Sequence, residues 1–178
     1  MPVENLAELI PDYAKDLRLN LTSLLRQTEL NESQFWGTVV ACAMACRNGI
    51  LIEELLPEAA THLSPEAFQG AKASAAVMGM NNIFFRFGHL SSNEKYKDMP
   101  SRLRMNAIRT HGADPVDFEL WCLAASAING CGTCVDSHER VLREKGLTEE
   151  TVLAAVRVAS ILHGIATVLE TESYVESA

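Results

Sequence analysis

The segment Cys131-Gly132-Thr133-Cys134-Val135-Asp136-Ser137-His138 carries the chain's densest set of reactive side chains. Two thiols separated by two residues can exchange with a disulfide, attack an electrophile or supply half of a metal site. A histidine four residues past the second thiol shares its face of a helix, so Cys134 and His138 can meet. Cys131 lies one turn further back, beside Asn129-Gly130, where a helix is expected to open. A thiol there faces unpaired backbone amides and the positive end of the helix dipole, and a thiol beside an imidazole can pass it a proton. Both effects favour thiolate, and the pattern reads as a nucleophile with its base. Glu119 stands twelve residues before Cys131 on a helix begun by Asp114-Pro115. If the Asn129-Gly130 break folds that helix back, its carboxylate can orient the imidazole or accept a proton.

Blander readings of the same residues stay open. Glu119 is also readable as a solvated first-turn acid, and the cysteines as two ordinary buried thiols. Zinc is a further alternative, with Cys131, Cys134 and His138 as three ligands and Glu119 or Cys122 as the fourth. Structural zinc sites usually show a second paired motif, which this chain lacks. A c-type haem is excluded because Val135 follows the second cysteine.

The elements that must position these residues are helices. Asn31 and Gln34 have capping-box spacing, and Asn5 with Glu8 reads the same way. Ser64-Pro65 and Asp114-Pro115 each set an N-cap before proline at the first helical position. Thr148-Glu149-Glu150 puts acids in a first turn, and Gly146 after Lys145 reads as a helix-ending glycine. Period-2 alternation never persists long enough for a strand, so the expected class is all-α. Sliding the chain by 85 residues lays Trp36 on Trp121, Cys46 on Cys131 and Gly79 on Gly164. This reads as a duplicated helical unit within one domain over 1–178, with a scaffold repeat at about 31–90 and a catalytic repeat at about 114–172. The first copy has Cys46 but no second thiol at position 49.

At 178 residues, 48% of them hydrophobic, the chain is long enough for one self-sufficient core. Its formal net charge of −8 argues against a nucleic-acid backbone or an anionic membrane surface as partner. The most apolar run, read as Thr38 to Cys46, stops at Arg47 and is too short to span a bilayer, and Met1-Pro2-Val3-Glu4-Asn5 lacks the pattern of a secretory signal. A cytoplasmic protein is expected. Five cysteines fit no complete disulfide framework, so a close pair in a reducing compartment points to catalysis or metal. His62, His89, His111 and His163 have no partner at diagnostic spacing and are assigned no role. Cys42 and Cys46 read as buried packing, and so does Cys122, with a site wall as its alternative; Met78, Met80 and Phe84-Phe85 read as core or subunit interface ahead of an organic-substrate pocket.

The pattern Glu119, eleven residues, Cys131-x-x-Cys134, three residues, His138 resembles the active-site signature of the alkyl hydroperoxidase D (AhpD) family, within the carboxymuconolactone decarboxylase-like superfamily. The likeness extends to Pro11-Asp12-Tyr13-Ala14-Lys15-Asp16, Met78-Gly79-Met80-Asn81-Asn82, Arg104-Met105-Asn106 and Phe118-Glu119-Leu120-Trp121. It implies an AhpD-like helical fold, a homotrimer, and antioxidant reduction of organic hydroperoxides without bound cofactor or metal. It also implies dihydrolipoamide as external reductant, carried on a lipoylated acyltransferase and recharged by lipoamide dehydrogenase. By resemblance Cys134 is the peroxidatic thiol, Cys131 the resolving thiol that closes a disulfide with it, and His138 with Glu119 the proton relay. Some members have histidine where this chain has Thr133. Helix-dipole logic alone favours Cys131 as the nucleophile, whereas the i+4 histidine favours Cys134. Relatives that decarboxylate an aromatic-derived lactone generally lack the CxxC pair. A general dithiol-disulfide oxidoreductase is the nearest alternative activity.

Overall fold

The computed structural model describes residues 2–175, and among them every regular element is helical. The order is α1 (Pro2–Glu8), α2 (Lys15–Leu24), α3 (Glu32–Cys46), α4 (Gly49–His62), α5 (Pro65–Leu90), α6 (Ala107–Thr110), α7 (Pro115–Ile128), α8 (Gly132–Glu144) and α9 (Glu149–Val175). Short 3-10 turns lie at Asp12–Ala14 and Glu94–Asp98. The fold is all-α, as the helix punctuation predicts.

Most of the starts follow their sequence signals. Asn31 and Gln34 form a reciprocal capping box at α3. Ser64 and Asp114 accept the first amides of α5 and α7, each followed by its proline. Thr148 accepts from the Thr151 amide at the head of α9. The Asn5 expectation is corrected, because α1 already begins at Pro2 and Asn5 lies inside it. Its Nδ2 reaches Glu54 of α4 at 3.3 Å, so the side chain serves a tertiary contact instead of a cap.

Two helices are apolar on nearly every side and form the centre. α3 packs against α4, α5, α7 and α9, while α7 packs against α3, α5, α8 and α9. Residues surrounded by other helices need no polar face, which explains why both lack an amphipathic stripe. Their approach is set by Gly37: a Cβ there would lie 2.2 Å from the fully buried Trp121 ring. α9 is long and apolar enough, by length and composition, to cross a membrane, and 61% of its most apolar window is buried inside the fold. This helix, and not Thr38 to Cys46, is the longest apolar stretch among the described residues; Arg157 and His163 interrupt it in the sequence.

The turn between α7 and α8 positions the CxxC segment. Gly130 adopts φ +68°, a left-handed conformation that costs a glycine little. The Cys131 amide donates to the Ser126 carbonyl and the Gly130 amide to that of Ala127, the two bonds of a Schellman motif. Cys131 is therefore both the second residue past α7 and the N-cap of α8, with no residue to spare between the helices. Neighbouring elements hold this turn. Asn129 donates to Asn82 Oδ1 at 2.9 Å, and its own Oδ1 accepts from Arg47 at 3.3 Å. Its carbonyl accepts from Arg86 of α5.

Candidate active site

α8 lies on the outside of the bundle and turns Cys134, His138 and Leu142 inward at the helical period. α7 runs beside it and α5 closes the other side. Cys131 is fully buried, whereas Cys134 is 7% exposed. A Schellman motif favours an apolar side chain at the Cys131 position, which fits its burial. The sulfurs of Cys131 and Cys134 are in bonding contact, with the Cα atoms 5.3 Å apart, a span that a disulfide accommodates.

Glu119 and His138 meet across α7 and α8, with Nδ1 of the imidazole 2.6 Å from Oε2 of the carboxylate. Their side chains are 15% and 23% exposed for His138 and Glu119 respectively, so the pair is largely withdrawn from water. A carboxylate accepts, so Nδ1 is the donor in this contact, and the neutral tautomer that this selects carries its lone pair on Nε2. Nε2 lies 3.3 Å from the Met78 thioether, at most a weak acceptor, which leaves this nitrogen available as a base.

A cavity of about 310 Å³ lies against His138 and Cys134. Cys134, His138, Thr133 and Ser137 line it from α8, and Met78, Asn81 and Phe85 from α5. Met105 and Ile108 complete an apolar rim. A second cavity of about 570 Å³ meets the first at Phe85 and Thr133 and is walled by Phe84, Phe87, Tyr96 and Met99. Thr133, the residue at which some members carry histidine, thus stands between the two. Of the two readings of Met78 and Phe84-Phe85, Met78 belongs to the buried core and all three also line these cavities. Met78, Asn81 and Phe85 follow i, i+3, i+7 spacing, one face of α5, and the polar residue within that face was the available signal.

The remaining candidates lie elsewhere. Burial pushes the thiols of Cys42 and Cys122 well up, and that of Cys46 to about 11, so none is readily ionised. Cys122 does not line the cavity. His62 stacks on Trp36 and pairs with Glu32 at 2.8 Å, His111 stacks on Phe118, and His163 lies 4.0 Å from Cys46. Among the described residues no three of His, Cys, Asp and Glu are grouped to hold a metal ion.

Comparison with known proteins gives the chain's family. A model of the Carboxymuconolactone decarboxylase family matches residues 94–176, which include α7, α8 and α9. The chain is 63% identical to an alkyl hydroperoxide reductase AhpD of Solibacter usitatus, over 97% of this chain and 98% of that one. It is 62% identical to the protein of that name from Acidobacterium capsulatum, over 97% and 94% of the two chains, and 54% identical to that of Koribacter versatilis, over 97% and 89%. Identity at this level across nearly the whole length means that the chain belongs to the AhpD family of carboxymuconolactone decarboxylase-like proteins.

Proposed function

We propose that this protein is a thiol peroxidase that reduces organic hydroperoxides, with Cys134 as the attacking thiol. The observation that carries the reading is His138, held by Glu119 at 2.6 Å and lining the cavity that Cys134 also lines. The base takes the Cys134 proton. The thiolate attacks the terminal oxygen of the hydroperoxide, an S–O bond forms, the O–O bond breaks, and the departing alkoxide recovers a proton from His138. Cys134 is now a sulfenic acid. Cys131 attacks its sulfur, water leaves, and a disulfide closes. The complete burial of Cys131 and the place of Cys134 in the cavity lining support this division of roles, because the lining thiol is the one that meets a substrate there. The apolar walls around Phe85 support an organic substituent on the peroxide.

Two thiols of dihydrolipoamide return the pair to the dithiol state by exchange, becoming the cyclic disulfide. The family resemblance supports this carrier, presented on a lipoylated acyltransferase and recharged by lipoamide dehydrogenase, in the cytoplasm. A homotrimer is proposed on the same ground, and exposed apolar side chains along α5, among them Ile83, Phe87 and Leu90, support a buried subunit contact there. The test is consumption of cumene hydroperoxide by the purified, metal-free protein with dihydrolipoamide as sole reductant. Turnover is expected. Free thiols without turnover would refute the peroxidase reading and favour general disulfide exchange.

A further inference from the structure

Asn81 and Asn82 are neighbours in the middle of α5, both buried, at 3% and 0% exposure. Asparagine is a poor residue inside a helix, because its side chain competes for backbone partners, so each position asks for a reason. Asn82 has one. Its Nδ2 donates to Ser126 Oγ at 2.9 Å and its Oδ1 accepts from Asn129 at 2.9 Å, fastening the turn before Cys131.

Asn81 has no such structural task. Its Oδ1 is buried and accepts no hydrogen bond. A buried amide oxygen without a donor costs stability, and buried polar groups in native proteins are almost always paired. The same side chain lines the cavity shared by Cys134 and His138. A leucine, branched at the same carbon and apolar though somewhat larger, would match the chemistry of the wall formed by Met78 and Phe85 on this face of α5. The oxygen itself is sealed from water in this conformation, and rotation of the carboxamide about its broad, two-fold torsion presents it to the cavity, where a ligand carrying a donor would satisfy it.

Resting on the peroxidase reading above, we propose that Asn81 is a substrate-binding residue whose carboxamide oxygen accepts the hydrogen bond of the hydroperoxide O–H group. That group is the terminal oxygen attacked by the thiolate. Holding it leaves the organic substituent directed to the apolar side of the cavity. The terminal oxygen keeps its hydrogen when the S–O bond forms and the O–O bond breaks, so the sulfenic acid donates to the same acceptor. The carboxamide torsion is broad and two-fold, which lets Asn81 follow the oxygen at low cost. An alcohol, an ether or a dialkyl peroxide lacks either the reacting bond or this donor.

The experiment follows the two half-reactions of the Asn81→Leu variant separately. Reduced protein is mixed with cumene hydroperoxide and loss of thiol is timed; oxidised protein is mixed with dihydrolipoamide and gain of thiol is timed. The second-order constant with hydroperoxide is expected to fall about tenfold, the worth of one hydrogen bond between neutral groups. Disulfide reduction, which involves no O–H group on the substrate, is expected to stay within twofold, and the melting temperature to equal or exceed that of the wild type. Asn81→Ala is carried in parallel, so that poor folding of one variant does not decide the matter. An unchanged hydroperoxide constant overturns the proposal, and so does an equal slowing of both half-reactions, which marks a structural role. If the wild type itself fails to react with hydroperoxide, the peroxidase reading falls first and takes the Asn81 assignment with it.

Discussion

Replacing Glu119 with glutamine isolates what the carboxylate's charge does for His138. Glutamine keeps the length of the side chain and a carbonyl that can still accept from Nδ1, so the ring should stay in place. What disappears is the charge, which counts when the ring holds the proton taken from the thiol. Hydrogen bonds to charged groups contribute about 1.5–3 kcal/mol and neutral ones about 0.5–1.5. The difference, about 1–2 kcal/mol, is roughly five- to thirtyfold in rate at 1.4 kcal/mol per decade. The upper part of that range is expected, because the contact is 2.6 Å long and both side chains are more than three-quarters buried. The assay is the second-order loss of thiol in pre-reduced protein with limiting cumene hydroperoxide, alongside His138→Gln, for which a loss of about 10²–10⁴ is expected of a general base. A Glu119→Gln constant within twofold of wild type would refute the reasoning. A larger loss than that of His138→Gln would do so as well, since the carboxylate acts only through the ring.

Two further substitutions test the frame around the site. Asn82→Ala strips partners from the buried Ser126 hydroxyl and the Asn129 amide, at a cost of about 3 kcal/mol. At roughly 2–4 °C per kcal/mol for a chain of this size, melting is expected to drop by about 6–12 °C in circular dichroism, and a drop under about 2 °C contradicts the fastening role. Asp117 is buried at the head of α7, and desolvation raises its carboxyl above the ordinary value near 3.8 despite the Ser33 hydroxyl at 2.6 Å. A raised folded value means that ionisation opposes folding: its stabilising contribution is present at low pH and is lost as pH rises through the folded value. Asp117→Asn is therefore expected to melt higher than wild type at pH 7 and to lose that advantage near pH 4; an advantage that grows on acidification runs against the assignment.

The sequence is most legible where local chemistry dictates structure. The Asn31–Gln34 box, Ser64-Pro65, Asp114-Pro115 and Gly146 each satisfy or end a helix through neighbours in the chain, and each holds in the fold. The Cys131, Cys134 and His138 grouping was readable for the same reason, being confined to two turns of one helix. Glu119 needed one tertiary inference, the reversal at Asn129-Gly130, and the Schellman turn supplies it. Asn5 misled because a capping-box spacing is short and Pro2 starts the helix earlier. The α5 wall was hidden because Met78, Asn81 and Phe85 sit amid buried residues of similar type. Only the packing of α5 against α8 distinguishes a cavity wall from core. Thr133 likewise gains its place between the two cavities from α8 and α5 together.

The central claim is that Cys134, the more exposed thiol with the base on its own helical face, attacks first. It is tested most directly by trapping the sulfenic acid with dimedone after one equivalent of cumene hydroperoxide and locating the adduct by peptide mass. The Cys131→Ser variant is expected to carry the adduct on Cys134, while the Cys134→Ser variant carries none on Cys131. An adduct on Cys131 in the latter, with Cys134 unmodified in the former, would reverse the two roles and place the helix dipole above the imidazole as the activating group.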